Sequence, residues 1–412
     1  MRDPARVAGP VFAGRRVLLG VSGGIAAYKS IQIARDLAIA GAAVDVVLTP
    51  AALDFVRPLS FEALTGRKAY SAAYLPGDPL LHIRLARECE TIVIAPATAN
   101  LIARAAAGMA DDLLTAVLLA TRAPVIVCPA MNDAMYAHPQ TRANVERLGH
   151  IGYTIAGPAE GRLAWGEGAG VGRMIEPAAV LDHIGRALTR PTRLAGKRVL
   201  VTAGPTREAI DPVRFVGNRS SGRMGFAIAA AAWRMGADVV LVSGPSHLTT
   251  PTGVRRINVE SAEEMRAAVA GQIEDAEVLV MAAAVADFRP RSAAGEKIKK
   301  SSESTPALAL EPTADILTST LPQRRAGAVI VGFALETETP VENGQRKLEG
   351  KRLDLLVVND AREPGAGFEV ETNRVTLLAR DTPPEDLPLL SKDEVAGRIL
   401  SRVTALLPGD AE

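Results

Sequence analysis

The sequence predicts two doubly wound α/β units in tandem, each built on a mainly parallel sheet. Apolar runs of four to seven residues are continuous rather than alternating, the pattern of strands buried on both faces. Alanine-rich helical stretches lie between these runs and supply the crossovers that parallel strands require. The chain also begins twice. GRRVLLGVSGG (14–24) is echoed by GKRVLVTAG (196–204), AGAAVDVVLTP (40–50) by MGADVVLVSGP (235–245), and TIVIAPATAN (91–100) by EVLVMAAAVAD (277–287).

At about 150 residues per domain, the 412 residues suit two or three globular units. The polar, proline-bearing stretch RALTRPTRLAG (186–196) puts the boundary near Pro191, giving units 1–190 and 191–412. Ser391 and Glu394 form an S-x-x-E capping box ahead of a last helix, KDEVAGRILSRVTALL.

Forty-seven basic and 46 acidic residues leave a net charge of +1, so no global field favours a nucleic acid or an anionic membrane, and neither is expected as a partner. Arg122 splits the apolar segment from Leu113 to Met131, and Arg15 and Arg16 stand where a signal peptide would be apolar. A cytoplasmic location is expected. Cys89 and Cys128 form no CxxC pair or Cys/His cluster, which excludes a disulfide scaffold and a structural zinc site, so redox chemistry needs a bound cofactor.

Open parallel sheets bind ligands at the carboxyl ends of their strands, which is where the informative loops fall. Ser22, Gly23, Gly24, Ile25 and Ala26 follow the first strand and open a helix, so bare backbone N–H groups can face an anion such as a monophosphate. Neither G-x-G-x-x-G nor G-x-x-x-x-G-K-[ST] is present, and a tight turn that needs small residues reads equally well. Further along, IVIAPATANLIARAAAGMADDLLT and VIVCPAMNDAMY each run from a strand into small and amide-bearing residues. Thr98 and Asn100 can bond a polar heterocycle edge. Asn132 reads as a ligand contact or, more simply, as a helix cap. His82, in DPLLHIRLARECE, is the best proton-transfer group of this half, although a lone histidine between apolar neighbours is commonly structural. His138, His150, His183 and His247 have no comparable context.

The elements SGGIAAYK, LLHIRLA, APATANLIARAAAGMADDLL and PAMNDAMY, in this order, resemble the flavin-dependent cysteine decarboxylases. The likeness is to the phosphopantothenoylcysteine decarboxylase half of the bifunctional coenzyme A biosynthesis family. It spans most of residues 14–175 and implies a Rossmann-like, flavoprotein-type fold. It also implies a catalytic His82, an Asn132 that contacts the substrate carboxylate, and an FMN site at Ser22, Gly23, Gly24, Ile25, Ala26, Thr49, Thr98, Ala99 and Asn100. The chemistry explains the cofactor. Loss of CO2 from a cysteine-derived carboxylate needs an electron sink, and oxidation of the thiol-bearing carbon places C=S beta to the carboxylate. One departure matters: where the family commonly carries a proton-donating cysteine in A-C-G-x, this chain reads Ala164-Trp165-Gly166-Glu167. Cys128, Glu167 or water are the expected replacements.

In the second half, VTAGPTREAIDPVRFVGNRSSGRMG carries another small-residue loop and a helix opening at Ser220, Ser221 and Gly222, either an anion cradle or an ordinary cap. Lys347 and Lys351 are four apart, so a helix puts both ammonium groups on one face, suited to a polyanion or simply solvated. DPVRF-x-x-N-x-SSG-x-MG, AAAVADF, EKIKK, PTADIL, VGFALET and RKLEGKRLDLLVVND together resemble the phosphopantothenate–cysteine ligase half of the same family, across nearly all of 195–405. That resemblance implies a ligase-type second domain with Asn218 and Lys297 as catalytic groups. CTP would be held by Asp287, Lys297, Thr313, Ala314, Asp315, Ile316, Phe333, Lys347 and Lys351, and the acyl intermediate by Ala283, Ala284 and Arg214. Transfer of the carboxylate to CMP makes an acyl donor that the cysteine amine can attack, with Mg2+ carried mainly by the triphosphate.

The expected substrates are 4′-phosphopantothenate, cysteine and CTP, with FMN and Mg2+ as cofactors. The resemblance further implies a homo-oligomer assembled through both halves, with flavin sites near subunit contacts. Two alternatives remain: an active ligase with an altered, oxidative or inactive flavin half, and a flavin-binding scaffold that works through protein contacts.

Overall fold

The computed structural model describes residues 11–72, 78–189, 192–299, 307–336, 340–360, 372–380 and 382–408. The chain divides into two compact units, Met1–Arg190 and Pro191–Glu412. Pro191, the expected boundary, lies outside the described residues.

The first unit carries strands β1 (Arg16–Val21), β2 (Ala43–Leu48), β3 (Ala69–Tyr70), β4 (Thr91–Ala97), β5 (Val125–Pro129) and β6 (Thr154–Ile155), then the hairpin β7 (Ala159–Arg162) and β8 (Ala169–Arg173). Its helices are α1 (Ala27–Ile39), α2 (Pro58–Thr65), α3 (Leu81–Glu88), α4 (Ala99–Ala106), α5 (Leu113–Ala120), α6 (Asp133–Ala137), α7 (Pro139–His150) and α8 (Pro177–Leu188). The main sheet has the order β3-β2-β1-β4-β5-β6 and is parallel throughout. Counted along the chain this is 3-2-1-4-5-6, the order of doubly wound nucleotide-binding sheets.

Burial on both faces explains why these strands are continuous apolar runs. Along β1, Val17, Leu19 and Val21 pack with Ile33 and Leu37 of α1 and Val180 and Ile184 of α8, while Leu18 faces Leu85, Leu101 and Leu114 on the other side. α5 starts with a full capping box, Asp112 accepting from Thr115 N at 2.9 Å and Thr115 Oγ1 accepting from Asp112 N at 3.1 Å.

The second unit repeats the plan with β9 (Arg198–Ala203), β10 (Arg207–Ala209), β11 (Phe215–Gly217), β12 (Asp238–Ser243), β13 (Arg255–Asn258), β14 (Val278–Met281), β15 (Phe288–Pro290), β16 (Leu310–Pro312), β17 (Val329–Glu336), β18 (Leu355–Asp360), β19 (Thr372–Asn373), β20 (Val375–Ala379), β21 (Glu385–Asp386) and β22 (Leu390–Ser391). Its helices are α9 (Arg223–Arg234), α10 (Ala262–Ile273), α11 (Ile316–Ser319), α12 (Pro340–Gly350) and α13 (Lys392–Leu406). The sheet order β13-β12-β9-β14-β17-β18-β20-β21 again reads 3-2-1-4-5-6 through β18, all parallel, and then adds two antiparallel strands. α9 and α13 cover one face, with Ile228, Val395 and Ile399 against Val201 and Val357. α10, α11 and α12 cover the other, with Met265, Ile316 and Leu348 against Leu200 and Val358.

Helix α13 starts with the expected box: Ser391 Oγ accepts from Glu394 N at 3.3 Å, and Glu394 accepts from Ser391 N at 2.9 Å. Helix α9 departs from the expected serine cap. Its N-cap is Gly222 at φ 77°, a left-handed conformation that a side chain would strain, so Ser220 and Ser221 stand before the helix. Among the described residues no helix is long and apolar enough to cross a membrane.

Leu114 and Leu119 share helix α5, but Leu114 is fully buried and Leu119 is 64% exposed. Leu114→Ala should destabilise the first unit by about 2–5 kcal/mol and Leu119→Ala by less than about 0.5 kcal/mol. Chemical denaturation of the two variants checks the contrast.

Candidate functional site

The carboxyl ends of β1, β2, β4 and β5 open on a cavity of about 890 Å³ in the first unit. Ser22, Gly23, Gly24, Ile25, Ala26, Thr49, Thr98, Ala99, Asn100 and Asn132 all line it. Ser22 fastens the two central strands at this rim, since its hydroxyl donates to Pro96 O at 2.8 Å and accepts from Thr98 N at 3.0 Å. A Cβ on Gly23 would come within 2.5 Å of the Ala51 backbone, so only glycine lets the loop lie this close. Helix α1 then follows N-cap Ala26 with no side-chain cap and no acidic residue in its first turn; Ala27 N and Lys29 N turn back to Gly24 O and Ala26 O, and the positive dipole end of the helix faces the cavity rim. Thr49 lines the same cradle, and its Oγ1, sealed from solvent, has no hydrogen-bond partner among the described residues.

Asn132 is a helix cap, and its place in the cavity lining leaves the ligand reading open to it as well. It N-caps α6, its Oδ1 accepting from Ala134 N at 2.8 Å, and its Nδ2 has no part in that cap. The β7–β8 hairpin closes this side: Met131 N donates to Gly172 O at 2.9 Å, and Arg162, Leu163, Ala164 and Glu167 line the cavity. Trp165, at the hairpin tip, is fully exposed. Cys128 is wholly buried in the core and its thiol is pushed up to about 12 by burial, so of the two side chains considered as proton donors only Glu167 reaches the cavity. His82 is half-buried on the first turn of α3 and lies outside the lining.

The second unit has its own cavity, about 780 Å³, at the carboxyl ends of β14, β17 and β18. Asn218, Ala283, Ala284, Asp287, Thr313, Ala314, Asp315, Ile316, Phe333, Lys347 and Lys351 line it. Asn218 is held by donation from Nδ2 to Val285 O at 2.8 Å. Asp315 caps α11 and sits 2.9 Å from Lys351 Nζ. Burial opposes its ionisation, but the Lys351 ammonium and the helix N–H groups hold its carboxyl below the usual range.

Arg214 and Lys297 are not brought into this lining. They belong to one substructure instead. Arg214 grips the Asp211 carboxylate through Nε at 2.9 Å and reaches Ile298 O at 2.6 Å, while Ile298 N donates to Asp211 at 3.2 Å. Although buried, Asp211 is held far below the usual carboxylate range by Arg214 and by backbone N–H donors, so this clasp docks the exposed Lys297 segment onto the turn before β11. Among the described residues no three His, Cys, Asp or Glu side chains converge to hold a metal.

Residues 12–189 match the family described as Flavoprotein, and residues 194–407 match the DNA/pantothenate metabolism flavoprotein C-terminal domain. The coenzyme A biosynthesis bifunctional protein CoaBC of Vibrio cholerae serotype O1 is 45% identical over 392 residues, covering 94% of this chain and 98% of its own. The protein of that name from Bacillus subtilis is 43% identical, covering 95% of this chain and 97% of its own. The chain belongs to this bifunctional CoaBC family. A crystal structure of the C-terminal domain of a CoaBC protein is 41% identical, covers 52% of this chain and 96% of its own, and has a TM-score of 0.44.

Both cavities of this family member also contain residues that the sequence reading passed over. Lys29, in SGGIAAYK, is buried at the first cavity, 3.2 Å from both Met174 O and Glu176; burial lowers its pKa and Glu176 partly restores it. Lys392 and Asn373 line the second cavity although each is more than nine-tenths buried. A lysine at a strand-to-helix junction has no sequence signature to set it apart from a solvated one.

Burial also raises the Cys89 thiol, and neither cysteine is paired. Neither should react with a disulfide reagent at pH 8 in the folded protein, while two should react in denaturant. Folded Cys128 keeps its proton from about 9 up to about 12, so this contribution to stability is present below pH 9 and lost as the pH climbs through that window. The fall in denaturation midpoint above pH 9 should be shallower in Cys128→Ala.

Proposed function

We infer that this chain is a bifunctional enzyme of coenzyme A biosynthesis. Its second unit joins 4′-phosphopantothenate to cysteine at the expense of CTP, and its first unit decarboxylates the product to 4′-phosphopantetheine with FMN. Membership of the CoaBC family over nearly the whole chain carries the two activities. It does not favour a non-catalytic scaffold.

The residues of the first cavity fit FMN. A phosphate at the uncapped start of α1 would receive backbone N–H groups and satisfy the orphaned Thr49 hydroxyl. FMN, when bound, would supply the two-electron oxidation of the thiol-bearing carbon that creates the C=S electron sink a cysteine-derived carboxylate lacks. Asn132 orients that carboxylate through Nδ2, and Glu167, in place of the usual cysteine, gives the proton that completes the saturated thiol. His82 lies outside the lining, so its proton transfer belongs to an assembly in which a second copy approaches the cavity. Ile25, Tyr28 and Met135, which line the cavity yet are 69%, 61% and 50% exposed, support such an apolar contact.

In the second unit Lys347, Lys351, Asp315 and Phe333 form the nucleotide wall, with Mg2+ carried by the triphosphate rather than by a protein cage. Asn218 and the small residues Ala283 and Ala284 face the acyl group. Lys297 stands on the segment clasped by Arg214, and closing that segment over bound nucleotide would deliver its ammonium to the leaving diphosphate.

The deciding experiment incubates the protein with 4′-phosphopantothenate, cysteine, CTP and Mg2+ and resolves products by mass. The amide should appear with stoichiometric diphosphate, followed by the saturated thiol; absence of CTP-dependent amide would overturn the reading of the second unit. Glu167→Gln should leave the amide and accumulate the unsaturated enethiol, and an unchanged product ratio would remove Glu167 from the role. In the first unit, Thr49→Val should lower FMN retention by about 10-fold, read by flavin absorbance after gel filtration.

A further inference from the structure

The second cavity has two basic walls, and the nucleotide reading uses only one. Lys347 of α12, Lys351 just past its end and Asp315, the N-cap of α11, reach it on the face of the sheet packed through Leu348 and Ile316. Arg223 and Lys392 reach it from the first residues of α9 and α13, on the opposite face packed through Ile228 and Val395. Lys392 is only 8% exposed, an unusual place for an ammonium group, and burial together with the Arg223 charge lowers its pKa to about 8. An anion beside it relieves both effects.

A second feature lies on the same wall. Asn359 and Asn373 both line the cavity, and Asn359 Nδ2 donates to Asn373 Oδ1 at 3.4 Å. Asn373 pairs with Leu390 in the short ladder that ends at Ser391, so this amide pair is fixed opposite a residue two before Lys392. Among the described residues Asn359 Oδ1 is sealed from solvent and has no partner. A buried acceptor without a donor costs about 1–3 kcal/mol, which a ligand N–H would recover. The wall thus offers a cation and an acceptor together. A phosphate supplies only acceptors and leaves Asn359 unsatisfied, whereas an amino acid supplies a carboxylate and an amine.

We propose that Lys392, Asn359 and Asn373 form the subsite for the amino-acid nucleophile, Lys392 taking its carboxylate and Asn359 an amine N–H. The proposal rests on the ligase reading of this unit. Held there, the amine faces an acyl group on the opposite side of the cavity. Its lone pair forms the C–N bond, the C–O bond to the nucleotide phosphate breaks with its electron pair leaving on CMP, and the surplus amine proton passes to water. The carboxylate contact also explains how the site would prefer an α-amino acid to a simple aminothiol.

The test compares full-length wild type, Lys392→Met and Asn359→Ser with cysteine and with cysteamine, which lacks the carboxylate. Diphosphate release from CTP and 4′-phosphopantothenate in a single turnover without the amine reports the first step separately. In Lys392→Met the KM for cysteine should rise by about 10- to 100-fold, the first step should be unchanged, and the preference for cysteine over cysteamine should disappear. Asn359→Ser should weaken both amines alike. A loss of first-step diphosphate release in Lys392→Met would assign the wall to phosphate and overturn the proposal, as would an intact cysteine preference. If Lys392→Met does not fold, Lys392→Arg decides: it should keep the preference with a changed cysteine KM, and unchanged kinetics for both amines would sink the assignment. Failure of wild type to release diphosphate would instead remove the ligase reading beneath it.

Discussion

Both units depend on what happens where adjacent parallel strands send their chains in opposite directions. β1 and β4, and likewise β9 and β14, are neighbours in the sheet, yet the elements that follow them wind away to different sides. Backbone at the carboxyl ends of such a pair cannot be covered by the next helix, so it must be satisfied locally or by a ligand. In the first unit the Ser22 hydroxyl does part of this by spanning to Pro96 and Thr98. In the second the main chain does it directly: Ala284 N donates to Gly204 O at 2.9 Å and Thr206 N returns to Ala284 O at 3.3 Å. What is left unsatisfied beyond these ties is the start of each cavity.

The two cavities solve different electrostatic problems from this common origin. With a net charge of +1 the chain has no long-range field to gather anions, so each anion must be met by short-range donors. The first cavity presents the uncapped start of α1 and hydroxyls, and its cations Lys29 and Arg104 are paired with Glu176 and with Asp111 and Asp112. That suits an electron carrier that is bound once and retained. The second cavity is lined by side-chain cations on both faces of the sheet, and the pair Lys347 and Lys351 on one of them suits a polyanionic substrate that must arrive, lose diphosphate and leave.

The parallel core was legible because burial on both faces leaves no freedom in residue type: β1, β4 and β9 are apolar at almost every position. The glycine and small-residue loops at their ends were legible for the same reason, since close approach at Gly23 admits no side chain. The antiparallel additions β20 and β21 and the β7–β8 hairpin carry weaker signals. β7 alternates half-buried and exposed residues in a charged sequence, AEGR, that periodicity alone reads as loop. Side-chain placement around the sites was the least legible. Arg214 and Lys297 are eighty-three residues apart and meet only because Asp211 collects Ile298 N and the Arg214 guanidinium on one carboxylate. Lys392 gives no sign in sequence that helix α13 packs on α9 and carries it to a cavity wall.

The core clusters bear on how two reactions coexist in one chain. Among the described residues, each cluster draws its side chains from one unit alone: two from residues between Phe12 and Leu188, two from residues between Leu194 and Leu407. Each unit therefore has its own cooperative basis for folding, and each cavity is lined entirely from within its own unit. Trp165, at the tip of the β7–β8 hairpin, is fully exposed and takes part in none of these clusters. The first unit can thus hold an exposed tryptophan at a hairpin tip at no cost to its core, while in the second DPVRF builds the clasp around Asp211.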